Sequence, residues 1–216
     1  MCGIFGIVYR DGMTVPDEAL LGETGRILGH RGPDSAGLFK SAGVGLVHTR
    51  LSLLDLSSRS DQPFWDDQRR YALVYNGEIY NFQSLRSELE ALGVVFRTTS
   101  DTEVLLHGVI RHGLDAFLPR LEGMFAFGLW DSEQRTLALV RDRFGIKPLS
   151  VYEDDRVLVF ASEIKALKPW IPLRPDPQAA AAYLSGFGGP TRARSFFRDV
   201  VMMSARQNRT LAPNPS

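Results

Sequence analysis

One cysteine, at position 2, is all the thiol that the 216 residues contain. That excludes an internal disulfide and a cysteine-rich metal site. An excess of charge is lacking too: Lys plus Arg and Asp plus Glu both number 25, so the formal net charge is zero. Such a balance gives no reason to expect nucleic acid or an anionic membrane as a partner. No apolar run approaches the ~20 residues that a membrane span needs, and no basic segment precedes the short apolar run at residues 4–9 as it would in a secretory signal. A reducing cytoplasm is the simplest location. The phosphate loop GxxxxGK[ST], the zinc motif HExxH and the elbow GxSxG are all missing, and His30, His48, His107 and His112 include no i, i+4 metal pair. No metal site is expected.

Hydrophobic residues at 44% and charged residues at 23% describe an ordinary globular chain. Its length suits one substantial core or two small ones. Short β-type runs fall at residues 3–9, 43–48, 71–75, 124–130, 136–140, 149–152 and 156–161. Helical spacing appears at residues 17–28 and in NFQSLRSELEALG, which Gly93 should stop. In SDTEVLLHGVI, Ser100 and Glu103 match a capping box, which places a helix start beside Asp101. Grouped strands and grouped helices favour antiparallel sheets with outer helices, an α+β protein, over a doubly wound parallel sheet. After Trp170 prolines recur; PDPQAAAAYLSGF suggests one more helix and RQNRTLAPNPS a loose tail.

Removal of the initiator methionine would give Cys2 both the thiol and the chain's α-amine. An α-amine has a reference pKa of about 7.7–8.0, against about 10.4 for lysine, so it is the better proton acceptor at neutral pH. A nucleophile built this way needs no histidine. Against that stands the commoner fate of a lone cysteine, a small buried hydrophobe. Other stretches decide between the two.

MCGIFGIV, HRGPDSAG, HTRLSLLDL, YNGEIYNF, SDTEVLLH, EGMFAFGLWD and RDRFGIKPL follow one another in this order. Together they strongly resemble the class II glutamine amidotransferase domain, an N-terminal-nucleophile hydrolase, and most nearly the glutaminase domain of asparagine synthetases. The resemblance covers residues 2–168 well and continues more weakly through SFFRDVV. It implies a four-layer αββα sandwich of two antiparallel sheets with outer helices, with Cys2 on the first strand between the sheets.

The resemblance also implies chemistry. Cys2 becomes the nucleophile, its amine the general base, and a γ-glutamyl thioester the intermediate. Asn76 and Gly77 become the oxyanion hole, although Asn-Gly alone reads as a turn between strands; both roles are expected together. Arg50 becomes the partner of the substrate carboxylate, to which a planar guanidinium is suited, with Leu51, Leu53 and Leu54 lining the pocket. Glu78 and Asp101 become the partners of the substrate ammonium; Asp101 also suits a helix's first turn for dipole reasons. Arg31, Gly32 and Asp34 fall in a loop near the site. EGMFAFGLWD and RDRFGIKPL read as structural, with Trp130 and Phe144 serving packing.

By the same resemblance the chain divides into a glutaminase core, residues 2–168, and a C-terminal helix with a hinge or tail, residues 169–216. SGFGGP falls short of the SGGxDS phosphate loop of a synthetase domain, so no cofactor is expected in this chain; ATP and Mg belong to a synthetase domain outside it. The implied partners are L-glutamine and a synthetase domain or chain that takes the ammonia, with a homo-oligomer possible. A different activated carboxylate as acceptor, or a non-catalytic glutamine-binding or assembly module, are the competing readings.

Overall fold

The computed structural model describes residues 1–186 and 195–211. SGFGGP lies mostly outside the described residues, as do residues 212–216 of the tail. The chain runs β1 (Gly3–Tyr9), α1 (Glu18–Leu28), β2 (Ser35–Ser41), β3 (Val44–Arg50), β4 (Phe64–Trp65), β5 (Tyr71–Ile79), α2 (Phe82–Ala91), α3 (Asp101–His112), α4 (Leu114–Phe117), β6 (Gly123–Asp131), β7 (Thr136–Arg141), β8 (Ser150–Glu153), β9 (Val157–Ala161), α5 (Pro177–Leu184), β10 (Val200–Met202) and β11 (Asn208–Leu211). The strands form a six-stranded sheet ordered β10-β8-β9-β1-β3-β2 and a five-stranded sheet ordered β11-β7-β6-β5-β4. Neighbouring strands in both sheets pair antiparallel.

Strand β1 shows why the layers form. Its first six residues are buried, and alternate side chains leave a strand on opposite faces. Ile4 and Val8 join the cluster between the sheets with Leu46, Val74 and Phe160. Phe5 and Ile7 point the other way, against Leu21 and Leu28 of α1. The second sheet sends Leu73, Tyr75, Phe125 and Phe127 toward α2, α3 and α4. The result is the expected four-layer αββα sandwich.

Helix starts follow local chemistry. Asp17 caps α1, its carboxylate accepting from the N–H groups of Ala19 at 2.7 Å and Leu20 at 3.2 Å. Ser100 caps α3, its hydroxyl accepting from Thr102 N–H at 3.1 Å. The expected capping box is only half present. Glu103 reaches past Ser100 to the N–H groups of Arg97 and Thr98, and the Ser100 N–H goes to the Thr98 hydroxyl instead.

Three further expectations change. Asn76-Gly77 is not a turn: β5 continues through it to Ile79, with Asn76 opposite Ala126 and Gly77 opposite Phe125. Pairing along β6 outweighs the turn preference of the dipeptide. RQNRTLAPNPS is not loose throughout, because β11 extends a sheet by pairing with β7. Phe144 does not pack; Asp142 accepts its N–H at 2.9 Å in a tight turn, and the ring is left 80% exposed.

Candidate active site

Cys2 immediately precedes β1 and lines a cavity of about 360 Å³. The thiol donates to the Leu51 carbonyl at 3.7 Å and accepts from the Leu51 N–H at 3.5 Å. Burial pushes its pKa up, opposed by the Leu51 N–H, the nearby amino terminus and Arg50. Met1 also lines the cavity and is 56% exposed, so little packing holds it.

Two strands and a helix deliver the other groups. The end of β3 carries Arg50 and leads into Leu51, Leu53 and Leu54; the far part of β5 carries Asn76, Gly77 and Glu78; the first turn of α3 carries Asp101. All of these line the same cavity as Cys2. Asn76 is 1% exposed, and its side-chain Nδ2 is buried with no hydrogen-bond partner. A buried amide donor left unpaired costs roughly 1–3 kcal/mol, so a donor in that state fits an acceptor brought by a ligand. A Cβ on Gly77 would lie 2.5 Å from the Met124 carbonyl and 2.6 Å from Phe125 Cβ, so only glycine lets β5 and β6 approach this closely.

Arg50 is buried and partly engaged. Its Nη1 donates to the Ser57 carbonyl and to Asp61, both at 2.8 Å, and its Nη2 to the Asp55 carbonyl. A guanidinium has five N–H donors, so Nε and one hydrogen of Nη2 stay free for a carboxylate. Asp101 is 4% exposed. Its Oδ2 accepts from the Tyr75 hydroxyl at 2.7 Å and the Ile79 N–H at 3.0 Å. Burial raises its pKa, and these hydrogen bonds work against the rise. The cavity thus offers cation and carboxylates, a thiol and an unpaired amide donor together.

Arg31, Gly32 and Asp34 do not line the cavity; they brace it. Arg31 Nε donates to the Cys2 carbonyl at 2.9 Å, and its Nη1 pairs with Glu163 at 2.8 Å. Asp34 accepts the Ser52 N–H at 2.7 Å, fixing the loop that carries the leucines. Gly32 passes against the backbone of Thr49, which a Cβ would strike at 2.3 Å. Among the lining residues, Asp55, Gln62, Tyr75, Met124, Ile146 and Lys147 were not among the expected site residues. Lys147 belongs to RDRFGIKPL, yet it is 4% exposed and makes no ion pair among the described residues. A lysine between apolar neighbours was the signal that could have marked it. No group of three or more His, Cys, Asp or Glu able to hold a metal occurs among the described residues. Among the same residues no helix is long and apolar enough to cross a membrane.

Residues 1–214 match the family described as a glutamine amidotransferase domain. The chain belongs to that family. Among curated relatives of this amidotransferase domain, asparagine synthetase [glutamine-hydrolyzing] 1 of Bacillus subtilis (strain 168) is 41% identical over 169 residues, covering 77% of this chain and 26% of that protein. Asparagine synthetase B [glutamine-hydrolyzing] of Escherichia coli (strain K12) is 42% identical over 172 residues, covering 78% and 30% respectively. Amidase chyE of Penicillium rubens is 33% identical over 210 residues, covering 93% of this chain and 30% of that protein. The chain therefore spans less than a third of the length of each. Among solved structures, the glutamine phosphoribosylpyrophosphate amidotransferase of B. subtilis matches with a TM-score of 0.62 at 27% identity, over 77% of this chain and 43% of that one. The amidotransferase domain is homologous to the glutaminase part of the asparagine synthetases.

Proposed function

We propose that this domain hydrolyses L-glutamine to glutamate and ammonia through a Cys2 thioester, and that the ammonia goes to an acceptor unit of the asparagine-synthetase type. Release of Met1 turns the Cys2 nitrogen into an amine beside its own sulfur. That amine takes the thiol proton, and the thiolate attacks the side-chain carbonyl carbon of glutamine. Asn76 Nδ2 and the Gly77 N–H receive the oxyanion. As the intermediate collapses, the C–N bond breaks and the ammonium on Cys2 returns its proton to the departing nitrogen. Water then adds to the thioester and frees glutamate and the thiol. Arg50 takes the substrate carboxylate through its remaining donors; Glu78 and Asp101 take the ammonium; Leu51, Leu53 and Leu54 wall the pocket. The observation that carries this reading is the unpartnered Asn76 amide in the cavity that holds the chain's sole thiol.

The catalytic unit in this reading is residues 2–168, with residues 169–216 leading toward the acceptor. Glutaminase chemistry here needs no cofactor; ATP and Mg are used by the acceptor, in a cytoplasmic setting. Another activated carboxylate is the second reading of the acceptor, because similarity along the chain is not confined to asparagine synthetases. Similarity to the amidase chyE covers 93% of the chain, against 77% for the first asparagine synthetase.

The test is glutamate release from glutamine by the purified chain, with the mass of the intact protein read alongside. Loss of Met1 and measurable turnover are expected, with Cys2→Ala inactive but folded and Asn76→Ala slower in kcat by about 10²–10³. Turnover retained by Cys2→Ala, or by a chain that keeps Met1, would overturn the mechanism.

A further inference from the structure

Tyr75 stands next to Asn76 and lines the cavity, but it is only 3% exposed, and its ring belongs to the apolar cluster beneath α2 and α3. A phenol placed in hydrocarbon needs a partner for its hydroxyl. Here the partner is Asp101 Oδ2, at 2.7 Å. The Ile79 N–H converges on the same oxygen at 3.0 Å. The Thr102 N–H also favours the ionised carboxylate, but at Oδ1 the side-chain contact is a long one, 3.5 Å to the Ser100 hydroxyl, which leaves that oxygen the more open to a ligand. The tyrosine is itself mounted from both sides. Its N–H donates to Gln62 Oε1 at 2.6 Å, and its carbonyl accepts from His48 Nε2 at 3.1 Å.

Resting on the assignment of Asp101 to the substrate ammonium, we infer that Tyr75 is a positioning residue whose hydroxyl holds the Asp101 carboxylate ionised and turned so that its free oxygen meets that ammonium. A carboxylate in this degree of burial favours its neutral form unless donors compensate. Without Tyr75, the N–H groups of Ile79 and Thr102 alone must orient the group and hold its charge. With Tyr75 as well, two donors converge on Oδ2 and turn the carboxylate, and recognition of a free α-amine follows. The hydroxyl donates to Asp101 while the sulfur's hydrogen bonds go to Leu51, so the effect of Tyr75 belongs in substrate affinity and not in the chemical step.

The experiment compares the processed chain with Tyr75→Phe, which removes one oxygen and keeps the ring. A hydrogen bond to a charged group is worth enough to raise the KM for L-glutamine about tenfold to a hundredfold, with kcat changed less than about threefold. L-Glutamate as a competitive inhibitor should weaken by the same factor. Glutarate, which lacks the amine, should change less than about twofold. Equal weakening of glutamate and glutarate, or an unchanged KM, would overturn the inference. Replacing Tyr75 with 3-fluorotyrosine keeps the hydroxyl and should hold KM within about threefold; a tenfold rise there would also overturn it, even if Tyr75→Phe does not fold. A wild-type chain without glutaminase activity sinks the proposed function and this inference together. An active wild type whose Tyr75→Phe variant discriminates equally well sinks this inference alone.

Discussion

Two carboxylates stand two residues apart in the first turn of α3, both buried, and their surroundings push them in opposite directions. Glu103 is fully buried. Burial alone would raise its pKa, but hydrogen bonds from His107, Thr98 and Arg97 outweigh it and bring the pKa down to about 2. The Thr98 N–H and hydroxyl both reach Oε2 at 2.7 Å, and the Arg97 N–H spans both oxygens at 3.1 Å. Asp101 has fewer donors, one oxygen with room for a ligand, and a raised pKa. A carboxylate saturated with internal donors is a structural fastener. One left short of donors in a cavity wall is poised for an external cation.

Substitution should separate the two. Asp101→Asn keeps the shape and removes the charge, so kcat/KM for glutamine should drop about 10²-fold. Its melting temperature should hold or rise, because a buried charge with incomplete compensation is removed. A large loss of stability would erase the distinction. Glu103→Gln should do the reverse. Its amide would turn an NH2 toward donors, at a stability cost on the order of 3 kcal/mol, the free-energy equivalent of the displaced pKa. Activity should fall less than about tenfold, through loosening of the loop before Asp101. Chemical denaturation and steady-state kinetics on the same samples would check both.

Sequence reasoning reached the fold where the signal was local. Strand β1 begins and ends at the residues expected, and the helix carrying Asp101 begins behind Ser100. It failed where partners far along the chain decide. Strand β2 is absent from the expected β-type runs because SAGLFKS is half polar and only partly buried, an edge strand held by β3. Asn76-Gly77 reads as a turn until β6 is known to lie alongside. Strand β11 gains its conformation from β7, some seventy residues earlier by pairing of Asn208 with Val140. The family blocks pointed to nine of the residues that line the cavity, Cys2 among them. Which side chains hold them in place (Tyr75 on Asp101, Glu103 on Thr98, Arg31 on Cys2) depends on contacts between blocks, and no block announces those.

Acid should expose the same contrast with a smaller effect. For Glu103 the folded pKa of about 2 lies below the ordinary value of 4.5. Its contribution is therefore complete above about pH 4.5 and fades as pH falls through the folded value. Glu163, which is also held near 2 against burial by Arg31, Lys165 and His30, adds loss over the same range. The folded pKa of Asp101 is raised above 3.8, so its sign is opposite: its ionisation costs stability above that value, and acid relieves the cost. Lowering the pH should then narrow the stability gap between wild type and Glu103→Gln. Over the same approach to acid, the KM for glutamine should rise as Asp101 takes up its proton, before the wild type begins to unfold. Urea midpoints of both proteins at pH 7, 5 and roughly 3.5, with KM measured while the chain remains folded, test the pair of signs. A constant gap would deny Glu103 its charge-dependent role, and a pH-independent KM would deny Asp101 its place at the ammonium.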